Sequence, residues 1–209
     1  MVTASQPKRK SSFSPFRKSP SNEETKAAPQ STEDYDAARQ SLADLDSKST
    51  DSRPFDSLGF NQDSSCIALG TKDGFKVFMS NPLKCYFERR ELGQIKIAEL
   101  LFRNQIVALV GGSDNELIPS TKVSIWDDYL LKKIDEIKLG QKVLAVKMRK
   151  DKIVVVMRRK VHMYNLSDLE FFGALDTADN PNGVVALNSM TETFILAVLS
   201  EHSANTAFI

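Results

Sequence analysis

At 209 residues, with 41% hydrophobic residues and a formal net charge of +1, the chain holds enough apolar material for one ordinary domain. It shows no chain-wide electrostatic commitment to nucleic acid. No stretch approaches the roughly 20 apolar residues of a transmembrane helix, and the N-terminus lacks the apolar core of a secretory signal, so a soluble or membrane-peripheral protein is expected.

Residues 1–54 contain no glycine and few large apolar residues, with Ser, Thr and Pro at more than a third of positions. Such a segment cannot bury enough apolar surface to offset its ordering entropy, which predicts a disordered tail. Within it, 7–20 carries Lys8, Arg9, Lys10, Arg17 and Lys18 without an acid, and Ser14 and Ser19 each precede a proline, as in a phospho-regulated basic arm or a plain solvated tail. Residues 31–46 place Tyr35, Ala38, Leu42 and Leu45 near one helical face, a stretch too short to be a stable helix alone.

From Pro54 onward the texture is that of strands. "SSCIALGTKDGFKVFMS" (64–80) reads as strand, Gly-bounded turn, strand, with Phe78 ending the second strand. "IVALVGGSDNELIPSTKVSIWDD" (106–128) repeats that order with a longer loop and ends on Trp126. "KIVVVMRRKVHMYNL" (152–166) repeats it again around Arg158 and Arg159 and ends on Tyr164, and "TFILAVLSEHSANTAFI" (193–209) begins a fourth copy. Further strand candidates at 95–102 and 142–149 lie between these hairpins.

Phe78, Trp126 and Tyr164 are separated by 48 and 38 residues, close to the roughly 40–45-residue period of WD-type propeller blades. No heptads or βαβ alternation compete in this part of the chain. The predicted fold class is all-β: a WD-repeat β-propeller over 55–209 preceded by the 1–54 tail, with about three to three and a half blades present.

The segments "FNQDSSCIALGTKDGFKVF", "ELLFRNQIVALVGGSDN", "KVSIWDD", "AVKMRKDKIVVVMRRKVHMYNL" and "DTADNPNGVVAL" follow one another in an order and spacing that resemble the PROPPINs, the autophagy-related WD-repeat propellers that bind phosphoinositides. The resemblance spans roughly 58–198. It implies a seven-bladed propeller recruited to membranes carrying phosphatidylinositol 3-phosphate or the 3,5-bisphosphate, which brings a lipid-transfer partner to the forming autophagosome. It implies a cytoplasmic protein that, with the full propeller present, is peripheral on the preautophagosomal membrane, with the vacuole or endosome as alternatives.

Family lipid binding depends on a Phe/Leu-Arg-Arg-Gly motif between the fifth and sixth blades, which this sequence does not contain, so no lipid-binding residue is expected in it. Against the family pattern the sequence reads as a truncated product or incomplete gene model. Arg89-Arg90 is followed by Glu91 and Arg158-Arg159 by Lys160, and both pairs are expected to be solvated turns. For the lipid-transfer partner, the resemblance points to Asn61 and Asp63 in the first turn and to the loop around Pro119. Asn and Asp at a turn also cap backbone N–H groups by themselves, so a structural role stands beside the binding one. A generic WD-type interaction scaffold without lipid binding is the alternative function.

The remaining motifs carry less. Cys66 and Cys85 form no CxxC pair and the histidines do not cluster, which argues against zinc, any other metal, or a disulfide framework; both thiols are expected to be reduced and packed. "GTKDG" (70–74) is a hairpin turn and not a phosphate-cradling loop. "FDSL" (55–58) has the aromatic-x-x-aliphatic form of a ubiquitin-like modifier ligand, but overlaps the first strand and is expected to pack. Neither His162 nor His202 has a nucleophile and carboxylate arrangement, so neither an enzymatic activity nor a cofactor is implied.

Overall fold

The computed structural model describes residues 55–200 and the strand 206–208; the tail, its Ser14 and Ser19, its 31–46 segment and His202 lie outside the described residues. Every element described is a strand. The first sheet runs β1 (Ser57–Phe60), β2 (Cys66–Gly70), β3 (Phe75–Ser80), β4 (Leu83–Arg89), and the second β5 (Ile95–Leu100), β6 (Ile106–Gly111), β7 (Lys122–Asp127), β8 (Lys132–Lys138). The third follows with β9 (Ala145–Met148), β10 (Lys152–Val156), β11 (Lys160–Asn165) and β12 (Phe171–Asp176). The last holds β13 (Val185–Leu187), β14 (Leu196–Leu199) and β15 (Thr206–Phe208). Each sheet is an antiparallel meander in chain order, which makes three complete blades and three strands of a fourth. The first strands sit innermost: β5 packs on β1 and β9, and β9 on β13.

The blades stack through their faces. Cys66, Ala68, Phe75 and Val77 of the first blade pack on Ile95, Leu109 and Trp126 of the second. Val123 and Ile125 meet Val146, Ile153 and Val155 of the third, and Val154, Val156, Val161 and Met163 meet Leu196 and Val198 of the fourth. Ile153–Val156 of β10 form an unbroken apolar run because alternate residues serve two different interfaces, and β6 is buried along its whole length for the same reason. Full burial of one such Val or Leu contributes about 1.5–3 kcal/mol.

The aromatic spacing marks a structural equivalence. The pairing of the third strand with the fourth shifts register between Val77 and Phe78, between Ile125 and Trp126, and between Met163 and Tyr164. Each aromatic therefore directly follows a β-bulge in which the outer strand holds the extra residue: Tyr86, Ile134 and Phe172 in turn. The same irregularity at the same place in three sheets is a stronger repeat signature than the uneven 48- and 38-residue separations.

Two packing expectations need correction. Leu58 is 54% exposed and Phe55 40%, because the face of β1 that holds Leu58 and Phe60, continuous with Ile67 and Phe78 by register, has no sheet against it among the described residues. Cys66 is buried as expected, whereas Cys85 is exposed on the outer strand β4.

Candidate functional site

Antiparallel order sorts the loops onto two ends of the arc. The β1–β2 and β3–β4 type of turn lies at one end; the β2–β3 type of loop and the connections between blades lie at the other. Loop-to-loop hydrogen bonds follow this division: Gly112 N to Gln94 O (2.9 Å) and Asn180 N to Arg158 O (2.8 Å) at the second end, Asp128 N to Gln105 O (2.9 Å) and Leu166 N to Asp151 O (2.9 Å) at the first.

Asn61 and Asp63 lie in the β1–β2 turn, at the first end. Asn61 is buried; its Nδ2 donates to Ser65 Oγ (3.1 Å) and its Oδ1 accepts from Cys66 N (3.0 Å), closing the turn from within. Asp63 Oδ1 accepts from Ser65 N (3.1 Å) and Ser65 Oγ (2.5 Å), and the Ser65 hydroxyl holds its carboxyl below the usual range. Both residues thus shape the backbone. The residue between them does something that sequence reasoning missed. Gln62 Nε2 donates to Leu100 O (2.7 Å) and Met148 O (3.0 Å), at the ends of β5 and β9, while its Oε1 accepts from Phe102 N (2.5 Å). One amide joins three consecutive blades. No pattern in the sequence could have flagged a Gln among the polar residues of a turn.

Pro119 lies at the opposite end, in the β6–β7 loop. Buried Asn115 organises that loop: its Nδ2 donates to Leu92 O (2.8 Å) and Gln94 O (2.9 Å), and its Oδ1 accepts from Leu117 N (3.0 Å) and Ile118 N (2.9 Å). Ile118 is tucked in, Pro119 is half-buried with its carbonyl accepting from Lys122 N (3.2 Å), and Leu117 projects at 64% exposure. The structure brings Asn61 and Asp63 together and keeps Pro119 apart from them. The first end also displays the β7–β8 turn, where Asp127 Oδ1 accepts from Tyr129 N (2.9 Å) and Leu130 N (3.1 Å) and leaves Tyr129, Leu130 and Leu131 exposed.

The arginine pairs behave differently from each other. Arg158 grips Asp179 with both prongs (2.7 and 3.0 Å) and Arg159 approaches the same carboxylate (3.6 Å), in an exposed turn as expected; Arg158 lowers the Asp179 pKa. Arg89 departs from expectation. It ends β4 and reaches into the next blade, where its Nε and Nη2 donate to Asp128 Oδ1 (2.7 Å) and Oδ2 (2.8 Å).

A second hidden arginine, Arg149, is 1% exposed and donates to the backbone carbonyls of Asn188, Thr191, Glu192 and Thr193 and to Asp151. It ties the β13–β14 loop of the fourth blade to the third. The "DNPNG" stretch is pinned likewise: Asn180 exchanges hydrogen bonds with Val184, and Gly183 at φ +65° lies where a Cβ would stand 2.9 Å from the Leu144 backbone. His162 Nδ1 meets the Tyr164 hydroxyl (3.2 Å) and its ring abuts Phe171, a packing contact. Among the described residues no group of three or more His, Cys, Asp or Glu is placed to hold a metal ion.

Against known families, the PROPPIN model matches residues 55–204, most of the chain and every strand but the last, β15. The chain belongs to the PROPPIN family. It is 32% identical over 154 residues to autophagy-related protein 18 of Dictyostelium discoideum, covering 71% of this chain and 39% of that protein. It is 33% identical over 140 residues to the Candida glabrata protein of the same name, covering 67% of this chain and 28% of that one. The chain thus spans well under half the length of these curated PROPPIN relatives. Among solved structures, Hsv2 of Kluyveromyces marxianus superposes with a TM-score of 0.60 at 21% identity, covering 71% of this chain and 45% of that one. The complex of KlAtg21 with the coiled-coil of AgAtg16 gives 0.58 at 21% identity, covering 69% of this chain and 46% of that one. At that identity these likenesses speak to the propeller fold alone.

Proposed function

We propose that this chain is the partner-binding arc of a PROPPIN that, with the remaining blades, acts as a phosphoinositide effector in autophagy. The family match, and the relatives named autophagy-related protein 18, support this reading. In this reading the complete propeller sits in the cytoplasm, docks peripherally on membranes carrying phosphatidylinositol 3-phosphate or the 3,5-bisphosphate, and recruits a lipid-transfer protein there. The arc supplies the protein contact, and blades bearing the Phe/Leu-Arg-Arg-Gly motif supply the lipid contact.

The observation that carries the partner reading is the β6–β7 loop, whose backbone is fixed by Asn115 while Leu117 stands 64% exposed beside Pro119. A preorganised loop with a projecting apolar side chain loses little entropy on binding. The surface around Asn61 and Asp63 offers a second contact, and its position at the opposite end makes the two separable by mutation.

Two measurements test the reading. In vesicle flotation with and without phosphatidylinositol 3-phosphate, the 209-residue chain stays in the unbound fraction, whereas a chain completed with the remaining blades of a curated relative floats. Selective flotation of the short chain would overturn the division of labour. In co-precipitation with the lipid-transfer protein, Leu117→Asp is expected to abolish binding without changing the melting temperature; retained binding would remove the loop from the interface.

A further inference from the structure

We propose that the acidic stretch around Tyr35 of this chain's own N-terminal tail docks in the cleft between the first two blades, its ring in the cleft and the neighbouring carboxylates on Lys84 and Arg103. The cleft lies toward the first end and holds about 130 Å³, close to the roughly 150 Å³ of a cavity that takes up one benzene ring. Cys66, Met79 and Tyr86 of the first blade and Leu100, Phe102 and Arg103 of the second line it. Sulfur atoms and apolar carbon suit an aromatic ring. The second wall is fixed before anything binds: Phe102 sits at φ +50°, and its N–H is held by Gln62 Oε1.

The mouth carries two cations without an ion-pair partner. Arg103 is exposed and its Nη2 donates to Met79 Sδ (3.6 Å); Lys84 is exposed and opposes Met79 across the ladder, which puts its side chain on the same face. Neither enters an ion pair among the described residues, and no lining residue is acidic. Other basic clusters carry their own carboxylate: Lys122, Lys133 and Lys138 surround Glu136, and Arg158 and Arg159 share Asp179.

The sequence outside the described residues supplies the occupant. A ligand for this cleft needs an aromatic ring between carboxylates. Glu33, Asp34 and Asp36 flank Tyr35, with no base nearer than Arg39. The tail's other aromatics, Phe13 and Phe16, lie among Lys8, Arg9, Lys10, Arg17 and Lys18 and would bring like charge to Lys84 and Arg103. Chain length fits as well. The seven residues of β4 and the three strand spacings between it and β1 give a diagonal of about 28 Å. An unfolded connection of about 20 residues, the separation of Tyr35 from Asp56, has a radius of gyration of about 12 Å and so an end-to-end distance of roughly 30 Å. A linker matched to its span gives an effective concentration in the millimolar range, so a modest intrinsic affinity suffices. The latch does not depend on the lipid and partner reading above; a partner of the same chemistry would have to displace it.

Limited chymotrypsin digestion of the 209-residue chain tests it, because the cut after Tyr35 is read against those after Phe13 and Phe16 of the same tail. Lys84→Glu/Arg103→Glu is expected to speed cleavage after Tyr35 by at least about tenfold and the other two cuts by less than about twofold. Adding Asp34→Lys/Asp36→Lys to that variant is expected to restore protection, a recovery that misfolding cannot imitate, whereas the same pair in the parent background is expected to lose it. In trans, fluorescence anisotropy of a labelled peptide of residues 31–46 is expected to show at least about tenfold tighter binding to the Tyr35→Ser chain than to the parent, whose own tail occupies the cleft. Equal peptide affinity would leave the cleft open to a partner protein and overturn the latch. So would equal cleavage after Tyr35 in the parent and the Lys84/Arg103 variant, or protection that fades on dilution, which assigns the tail to a second copy.

Discussion

Arg89 and Asp128, 39 residues apart, join the first two blades by a two-pronged ion pair with contacts of 2.7 and 2.8 Å. The pair closes an aromatic cluster: the Arg89 guanidinium lies over Phe87 at 5.0 Å, Phe87 and Trp126 each meet Phe75 edge-on, and Trp126 Nε1 approaches Asp128 Oδ1 (3.4 Å). Asp128 is mostly covered, so removing Arg89 strands a desolvated carboxylate. Arg89→Ala is expected to cost about 2–3 kcal/mol in urea unfolding, and Arg89→Lys, which keeps the charge without the fork, about 1 kcal/mol. Trp126 is the sole tryptophan, so its emission reports the loss directly.

Gln62→Ala leaves Leu100 O, Met148 O and Phe102 N without their side-chain partner. The expected cost is about 2–3 kcal/mol, larger than for Asp63→Ala, whose exposed cap is worth about 1 kcal/mol or less. Chemical denaturation of the two variants side by side checks the order; the reverse order would mean that the turn and not the inter-blade bonds carries the stability.

Glu99 of β5 is buried and meets Lys147 of β9 at 3.1 Å, yet burial outweighs the lysine and raises its pKa. A raised carboxyl pKa means that the native state holds its proton more tightly than the unfolded chain. Stability from this group is therefore full below the unfolded value of about 4.3 and declines as pH rises through the folded value. Glu99→Gln is expected to flatten that decline and to melt at neutral pH no lower than the parent. Thermal melts from acid to neutral pH read the slope; a steeper decline in the variant would mean that the ion pair outweighs burial.

Arg149→Met keeps the bulk of the side chain but removes the donors to four carbonyls of the β13–β14 loop. Leaving that network open is expected to cost about 3 kcal/mol and to speed hydrogen exchange in Leu196–Leu199 more than in Ile106–Gly111. Uniform acceleration across both strands would show that the arginine serves the whole arc and not the last blade.

The exposed Leu58 and Phe60, with no sheet against them among the described residues, predict self-association of the 209-residue chain. Leu58→Glu/Phe60→Glu is expected to lower light scattering on heating without lowering the melting temperature, because both side chains are more than half exposed already. A sharp two-state melt from a monomeric parent would contradict the premise.

The hairpins β2–β3, β6–β7 and β10–β11 were legible because burial between two blades writes nearly continuous apolar runs into them. The outer strands β4, β8 and β12 were not, since they face solvent and their patterns mix Lys, Glu and Asp with scattered aromatics. Family resemblance located the Asn61 and Asp63 turn and the Pro119 loop but not their placement at opposite ends, which follows only from strand order. Arg89 looked like a solvated turn because its partner lies 39 residues away, and Gln62 and Arg149 escaped notice because a single polar residue carries no periodicity.

The reach of Gln62 also bears on how the chain assembles during synthesis. Its farthest acceptor, Met148, follows it by 86 residues, so the opening turn cannot complete its bonds until the third blade has left the ribosome. At about 5–20 residues per second that is a wait of roughly 4–17 s, in which the first blade has its own ladder but not its tie to its neighbours. A nascent chain halted before Met148 should therefore expose the first turn to proteases, and one from which Asp176, the end of the third blade, has emerged should protect it.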